Sequence, residues 1–185
     1  MLTAAERSEQ ITKLRRLPNQ LRKLVERLGD EQLTTRYLAK EWTVAQNVHH
    51  LADAHMNAFI LIKLMLSEED PPLKGYSADS WASMVDADHA DIELSLCIVE
   101  NLNVRMVQLF DSLQEKDFAR GGVNARGEQR TIDDDLRIYG NHGEAHLDQI
   151  QRTLAAEPKK ATPPPANPPM MSDDRSYDDD GGYEE

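Results

Sequence analysis

The chain lacks the features that would place it in a membrane or in an oxidising compartment. Its only cysteine is Cys97, so it can form no internal disulfide, as is usual in reducing compartments. No apolar run approaches the ~20 residues that a membrane-spanning helix needs, and the first residues lack the basic-then-apolar order of a signal peptide. We therefore expect a cytoplasmic protein with no membrane contact, in which Cys97 is a small core residue of an apolar helix.

Positive charge is also scarce. The 21 Lys and Arg residues stand against 33 Asp and Glu residues, which gives a formal net charge of −12 at pH 7. Because affinity for nucleic acid comes largely from neutralising phosphates, this balance argues against a nucleic-acid partner. The sequence also has no Gly-rich phosphate loop, no Gly-x-Ser-x-Gly elbow, no Cys-x-x-Cys pair and no internal repeat. The chemistry therefore has to be sought in other residues.

Four amphipathic segments make up most of the chain, each with apolar residues at helical spacing. They run from about Glu6 to Leu28, Thr43 to Ser67, Ala90 to Leu113 and Thr131 to Leu154. Pro18 should kink or restart the first helix, because proline removes an amide donor. Thr43 with Gln46 forms a capping box, and Thr131 caps the last helix. We predict an all-α, mostly antiparallel four-helix bundle with at most a minor hairpin near Ala119 to Arg130.

The end of the chain has a different composition. From Glu157 onward a proline run is followed by an acidic, glycine-containing segment. Such a segment buries too little apolar area to offset the entropy lost on ordering. We expect one folded domain over residues 1–156 and a disordered, dispensable tail over residues 157–185. A solubilising role fits this tail better than a peptide-binding partner for the proline run.

Two histidines in the fourth segment are the most informative residues for function. His142 and His146 are four positions apart in a predicted helix, so both imidazoles lie on one face and can reach one metal ion. Open catalytic sites of the zinc type usually take a third protein ligand besides water. The second helix holds His49, His50 and His55, any of which could be that ligand. Periodicity alone favours His55, although a lone histidine in an apolar stripe is more often a hydrogen-bonded core residue.

The second helix also carries a family resemblance. The string from Trp42 to Asp53, followed by His55 to Phe59 and by the downstream pair His142 and His146, resembles the signature of the DinB-like four-helix bundles. It is especially similar to the branch of metal-dependent hydrolases to which bacillithiol S-transferases belong. The similarity runs from about Leu17 to Leu154.

The resemblance implies a particular ligand set. The third ligand would be His50, eight residues after Trp42, with His49 and His55 outside the set. One divalent metal ion per subunit is implied, zinc first and nickel second, together with a homodimer and a cytoplasmic location. The implied activity is hydrolysis of a small-molecule substrate, in which the ion acidifies a water molecule.

Two alternatives would use the same three histidines. The open position could bind a low-molecular-weight thiol as thiolate, which is the nucleophile of a bacillithiol-type S-transferase. Alternatively, the ion is structural and the protein is a non-catalytic, stress-associated dimer. Glu144 is a candidate base, although its position puts it on a different helix face from the histidine pair. Asp53, Tyr76 and Tyr139 are candidates for contacts with the ligands or with a substrate.

Overall fold

The structure is a computed structural model that describes residues 1–158. Its long helices are α1 (Ala4–Val25), α3 (Val44–Ser67), α5 (Glu93–Ser112) and α6 (Ile132–Ala155). The shorter ones are α2 (Asp30–Thr34), α4 (Ala78–Ala82) and two 3₁₀ helices, Val85–Asp88 and Glu115–Ala119. The predicted all-α four-helix bundle is confirmed. Apart from Glu157 and Pro158, the predicted disordered tail lies outside the described residues.

Capping residues set where the two site-bearing helices begin. Thr43 accepts a hydrogen bond from the backbone N–H of Gln46, whose side chain accepts one from the backbone N–H of Thr43. Thr131 and Asp134 form the same reciprocal pair at the start of α6. Each box satisfies two amides that the helix itself leaves free. Both predicted starts are therefore confirmed.

Helix α1 continues through Pro18 instead of restarting there. Proline has no N–H to donate to the carbonyl of Leu14, one turn earlier. The side-chain Nδ2 of Asn103 in α5 donates to this carbonyl instead, at 2.9 Å in the protein interior. A neighbouring helix thus replaces the hydrogen bond that proline removes.

Helices α1 and α3 occupy opposite corners of the bundle, and each packs against both α5 and α6. Because His50 contacts His142 and His146 while His55 contacts Tyr139, α3 and α6 are antiparallel. Equivalent contacts make α1 antiparallel to α5, whereas α1 with α6 and α3 with α5 run parallel. The histidines of α3 and α6 therefore meet across an antiparallel helix pair.

A small sheet precedes α6. It consists of β1 (Pro72–Leu73), β2 (Gly121–Asn124) and β3 (Gln129–Thr131). Strands β2 and β3 form an antiparallel hairpin in the predicted place, and β1 adds to β2 in parallel. Gly122 is needed for this close approach, since a Cβ there would lie 2.3 Å from the carbonyl oxygen of Pro71.

Cys97 is exposed on the surface of α5, which corrects the expectation that it is a core residue. The buried stripe of this helix passes through Leu96 and Val99 instead. Cys97 is adjacent in sequence but points to solvent, where its Sγ lies 3.4 Å from Oε1 of Glu93. Within residues 1–158, no helix combines the length and the apolar character needed to cross a membrane.

Candidate metal site

Three imidazoles converge between α3 and α6. Nε2 of His142 lies 3.2 Å from Nε2 of His50 and 3.1 Å from Nε2 of His146. One nitrogen from each ring belongs to a set whose members all lie within 4.8 Å of one another. The structure therefore brings together the three histidines that the family resemblance implies as ligands.

Helix geometry explains why these three side chains meet. His142 and His146 lie one turn apart on α6 and point to the same side. His50 lies in the second turn of α3, a segment buried on almost every face, and is 7% exposed. His50 lies beside the main apolar stripe of α3, on a flank that meets His142 and His146 of α6. A periodicity argument that follows only the stripe therefore misses His50.

The other two histidines of α3 lie outside this cluster. The ring of His55 is fully buried and 6.1 Å, centroid to centroid, from that of His142, and its Nδ1 lies 2.7 Å from Oδ1 of Asn103. His49 has both ring nitrogens paired elsewhere, Nδ1 with Oγ of Ser95 at 2.7 Å and Nε2 with the carbonyl of His89 at 3.1 Å. The geometry favours His50 over both.

Burial keeps the three converging imidazoles neutral at pH 7. Desolvation, reinforced by the neighbouring histidines, lowers the pKa of His50 and of His146 to about 4 and the pKa of His142 to about 3. Neutral imidazole is the form that carries the lone pair needed for metal binding. Each ring can therefore offer a lone pair under physiological conditions.

Asn47 fixes which nitrogen of His146 carries the proton. Its Nδ2 donates to the carbonyl of Thr43 at 2.9 Å, so its Oδ1 is the acceptor that lies 2.7 Å from Nδ1 of His146. His146 is therefore protonated on Nδ1, and its Nε2 lone pair faces the other two rings. Asn47 was not identified from the sequence, where the available signal was an amide three residues before His50 in an apolar helix.

The residues present fit a divalent metal ion. Three neutral nitrogens within 3.2 Å of their neighbours have too few protons between them to form a complete set of hydrogen bonds. In addition, Nδ1 of His142 is buried without a hydrogen-bond partner. A cation between the Nε2 atoms would satisfy all three lone pairs, and three imidazoles suit zinc and related metals.

Trp42 covers one side of the histidine cluster. Its ring stacks on His146 at a centroid distance of 5.9 Å and meets His50 edge-on at 4.7 Å. The indole Nε1 donates to Oδ1 of Asp79 in α4 at 3.1 Å, which anchors the ring. The connection between α3 and α5 thus folds back over the site.

Two tyrosines flank the cluster. The ring of Tyr76 lies 6.4 Å from that of His50, and the ring of Tyr139 lies 5.8 Å from that of His142. Burial raises the pKa of both hydroxyl groups, so both remain protonated at neutral pH. A protonated hydroxyl beside a metal site can donate a hydrogen bond to a substrate oxygen.

The carboxylate candidates are placed less favourably. Glu144 turns toward α1, where its Oε2 lies 3.0 Å from Nζ of Lys13, away from the histidine cluster. Asp53 lies one turn beyond His50 on α3, and burial, with a smaller contribution from Asp86, raises the pKa of its carboxyl group. Within residues 1–158 no carboxylate joins the three imidazoles as a potential ligand.

Comparison with known sequences agrees with the family resemblance of the second helix. Residues 13–150 match the sequence profile of the DinB superfamily. A relative from Geobacillus thermodenitrificans, provisionally named a metal-dependent hydrolase, is 47% identical over 80% of this chain and 83% of its own length. One from Bacillus licheniformis with the same provisional name is 37% identical over 75% of this chain and 79% of its own.

Solved structures give the same result. YfiT from Bacillus subtilis, described as "a probable metal-dependent hydrolase with an unusual four-helix bundle topology", matches with a TM-score of 0.79 and 34% identity. The match covers 83% of this chain and 88% of YfiT. A mycothiol-dependent maleylpyruvate isomerase matches with a TM-score of 0.62 over 81% of this chain and 63% of its own. At 14% identity, the second likeness shows a shared fold alone.

Proposed function

Because the chain belongs to the DinB superfamily, we propose that it is a metal-dependent hydrolase acting on a small molecule through His50, His142 and His146. The observation that carries this proposal is the convergence of three neutral imidazole nitrogens between α3 and α6. A divalent ion held there, zinc in this proposal, would act as a Lewis acid toward water and toward a substrate carbonyl. The implied homodimer and cytoplasmic location remain predictions.

The chain itself would supply orientation and hydrogen bonds. Asn47 holds His146 in the tautomer that leaves Nε2 free, and Trp42 shields the two rings it contacts from water. Tyr76 and Tyr139 would donate hydrogen bonds to a substrate oxygen as negative charge develops on it. In this proposal the tyrosine hydroxyls, rather than a carboxylate, take part in positioning the substrate.

Metal binding and hydrolysis test this proposal together. We expect the wild type to hold one equivalent of zinc after dialysis and to hydrolyse a member of a panel of small esters, amides and lactams. His142→Ala should lose both the zinc and the hydrolysis. His49→Ala removes an imidazole from the same neighbourhood but outside the cluster, and should keep both.

Two outcomes would contradict parts of the proposal. A His142→Ala variant that is folded and retains a full equivalent of zinc would show that the three imidazoles are not the metal site. A zinc-loaded wild type that hydrolyses nothing in the panel, yet exchanges a thiol onto the metal, would favour thiol transfer over hydrolysis.

A further inference from the structure

We propose that His55 is a positioning residue for His142: its Nε2 accepts the Nδ1–H of His142 and so directs the Nε2 lone pair of His142 toward the metal. The role assigned to His55 rests on the proposed function, since it requires His142 to be a ligand. His55 itself stays outside the ligand set.

The tautomer of His55 can be assigned through a series of contacts that begins at Pro18. Because Pro18 has no N–H, the carbonyl of Leu14 takes a hydrogen bond from Nδ2 of Asn103 at 2.9 Å. The amide nitrogen of Asn103 is thereby assigned, and its Oδ1 must be the atom 2.7 Å from Nδ1 of His55. An oxygen acceptor requires the proton of His55 on Nδ1. Nε2 of His55 is therefore a buried lone pair.

The proton of His142 is assigned from the opposite direction. Its Nε2 faces Nε2 of His50 and Nε2 of His146, so ligation through this atom leaves the proton on Nδ1. Nδ1 of His142 is buried and has no hydrogen-bond partner. His142 therefore presents an unpaired donor, just as His55 presents an unpaired acceptor.

These two unpaired atoms lie on neighbouring rings. The centroids of His55 and His142 are 6.1 Å apart, compared with 5.2 Å for His50 and His142, whose Nε2 atoms are within hydrogen-bonding distance. Tyr139 packs edge-on against both His55 and His142, at 5.8 Å from each, and keeps them side by side. A small ring displacement or a single bridging water is enough to join donor to acceptor.

Energetics favour this pairing. A buried polar atom without a partner is unfavourable, and joining Nδ1 of His142 to Nε2 of His55 removes two such costs at once. The result parallels the arrangement at His146, where Asn47 accepts the Nδ1–H and donates to a helix carbonyl. Both ligands of α6 would then be oriented through an asparagine that ends on a backbone carbonyl.

Zinc affinity, measured by competition with a chromophoric chelator, tests this role. His55→Phe keeps a ring of similar shape but removes the acceptor, so affinity should fall about 10–100-fold. His55→Gln retains an acceptor oxygen and should lose less. His49→Phe makes the same replacement on the same helix, at a residue whose nitrogens are paired elsewhere, and should leave the affinity unchanged.

Nitrogen-15 NMR of the zinc-loaded wild type gives a second measurement. We expect His142 to be bound through Nε2, with an Nδ1–H that exchanges slowly with water, and His55 to be neutral with its proton on Nδ1. In His55→Gln the Nδ1–H signal of His142 should shift. Urea unfolding of each variant separates a change in affinity from a change in stability.

The outcomes are distinguishable. A wild type that binds no zinc overturns the proposed metal site, and the role of His55 with it. A wild type that binds zinc, alongside a folded His55→Phe variant of equal affinity, overturns only the role of His55. If His55→Phe does not fold, the wild-type spectrum decides, because an Nδ1-bound metal or a rapidly exchanging Nδ1–H at His142 contradicts the proposal.

Discussion

Two of the polar clusters that the bundle buries differ in how completely their hydrogen bonds are formed. In the first, at the start of α1 and α6, Nε of Arg7 lies 2.7 Å from Oδ1 of Asp133, and both side chains are almost fully buried. The other carboxylate oxygen accepts from the backbone N–H of Leu2 at 2.7 Å and from Nη2 of Arg7 at 3.1 Å. Glu115 pairs with Nη1, and the ring of Phe118 lies 4.2 Å below the guanidinium.

The second cluster, formed by the histidines of α3 and α6, leaves bonds unmade. Nδ1 of His142 and Nε2 of His55 have no partner, and three Nε2 atoms face one another. A complete cluster such as Arg7 with Asp133 fixes the packing of two helices. An incomplete cluster still has polar atoms that can bind a ligand. The difference shows how burial alone fails to separate a structural group from a functional one.

The largest effect is expected from acid, which should lower the stability of the protein chiefly through the buried histidines. Burial lowers the pKa of His55 to about 4, and the pKa values of the three converging histidines are lowered as far or further. In the unfolded chain these groups titrate near 6.5, so between about pH 6.5 and 4 the unfolded state binds more protons. The metal-free protein should therefore lose stability as the pH falls through this range, about 3 kcal/mol of it from His55 alone.

Urea unfolding of the metal-free protein at a series of pH values measures this loss. In His55→Phe the dependence on pH should be shallower, because one of the buried titrating groups is gone. His49→Phe should keep the wild-type dependence. A free energy of unfolding that stays constant between pH 7 and pH 5 would show that the histidines are not buried as neutral groups.

Mutation of the complete cluster should lower the stability of the protein without changing its metal binding. Asp133→Ala leaves the guanidinium of Arg7 buried without its main partner, which should cost about 3–5 kcal/mol of unfolding free energy. Zinc bound per folded molecule should not change. Asp111→Ala is the matched control, since it removes an exposed partner of Arg15 and should cost at most about 1 kcal/mol. Equal costs for both variants would mean that the buried pair contributes no more than a surface pair.

Asn47 shares a feature with each cluster. Its Nδ2 and Oδ1 both have hydrogen-bond partners, as in the complete cluster, but the partner of Oδ1 is a histidine of the incomplete one. Asn47→Ala removes the acceptor for Nδ1–H of His146 and should lower zinc affinity about 10–100-fold. Asn47→Asp keeps an acceptor oxygen at the same place and should lose much less. Chelator competition measures both. If the two variants bind zinc equally, the amide of Asn47 acts only by capping the carbonyl of Thr43.

The sequence predicted the fold well because its signals are local. Thr43 with Gln46 and Thr131 fixed two helix starts correctly, and the apolar spacing located the buried face of each long helix. The directions of the helices were harder to predict from the sequence. Two of the neighbouring helix pairs run parallel, and these directions depend on where the connections cross the bundle. Cys97 was misplaced because a neighbour in sequence, Leu96, rather than Cys97 itself, lies on the buried stripe.

The three converging histidines were identified only in part from periodicity. Spacing alone gave His142 and His146, but it favoured His55 over His50, since the stripe of a helix buried on several sides does not show which flank meets α6. The resemblance to a family supplied His50. Neither periodicity nor the family resemblance identified Asn47 and Asn103. Both amides act through contacts with residues far away in sequence, which no local pattern records.

The smallest effect is expected where α6 packs against α1, because Gly143 lets α1 approach there. A Cβ at this position would lie 2.5 Å from Cδ2 of Leu17, which is itself 3% exposed and has little room to move. Gly143→Ala should therefore cost about 1–3 kcal/mol by overpacking, reduced by the ~1 kcal/mol that alanine gains over glycine in a helix. Zinc affinity should stay near that of the wild type, although His142 is the adjacent residue.

In a Leu17→Ala background the same Gly143→Ala change should become neutral or stabilising, because the clashing methyl groups are absent. A double-mutant cycle on urea unfolding measures this coupling. If Gly143→Ala destabilises both backgrounds equally, the glycine is required by the helix backbone and not by the contact with α1.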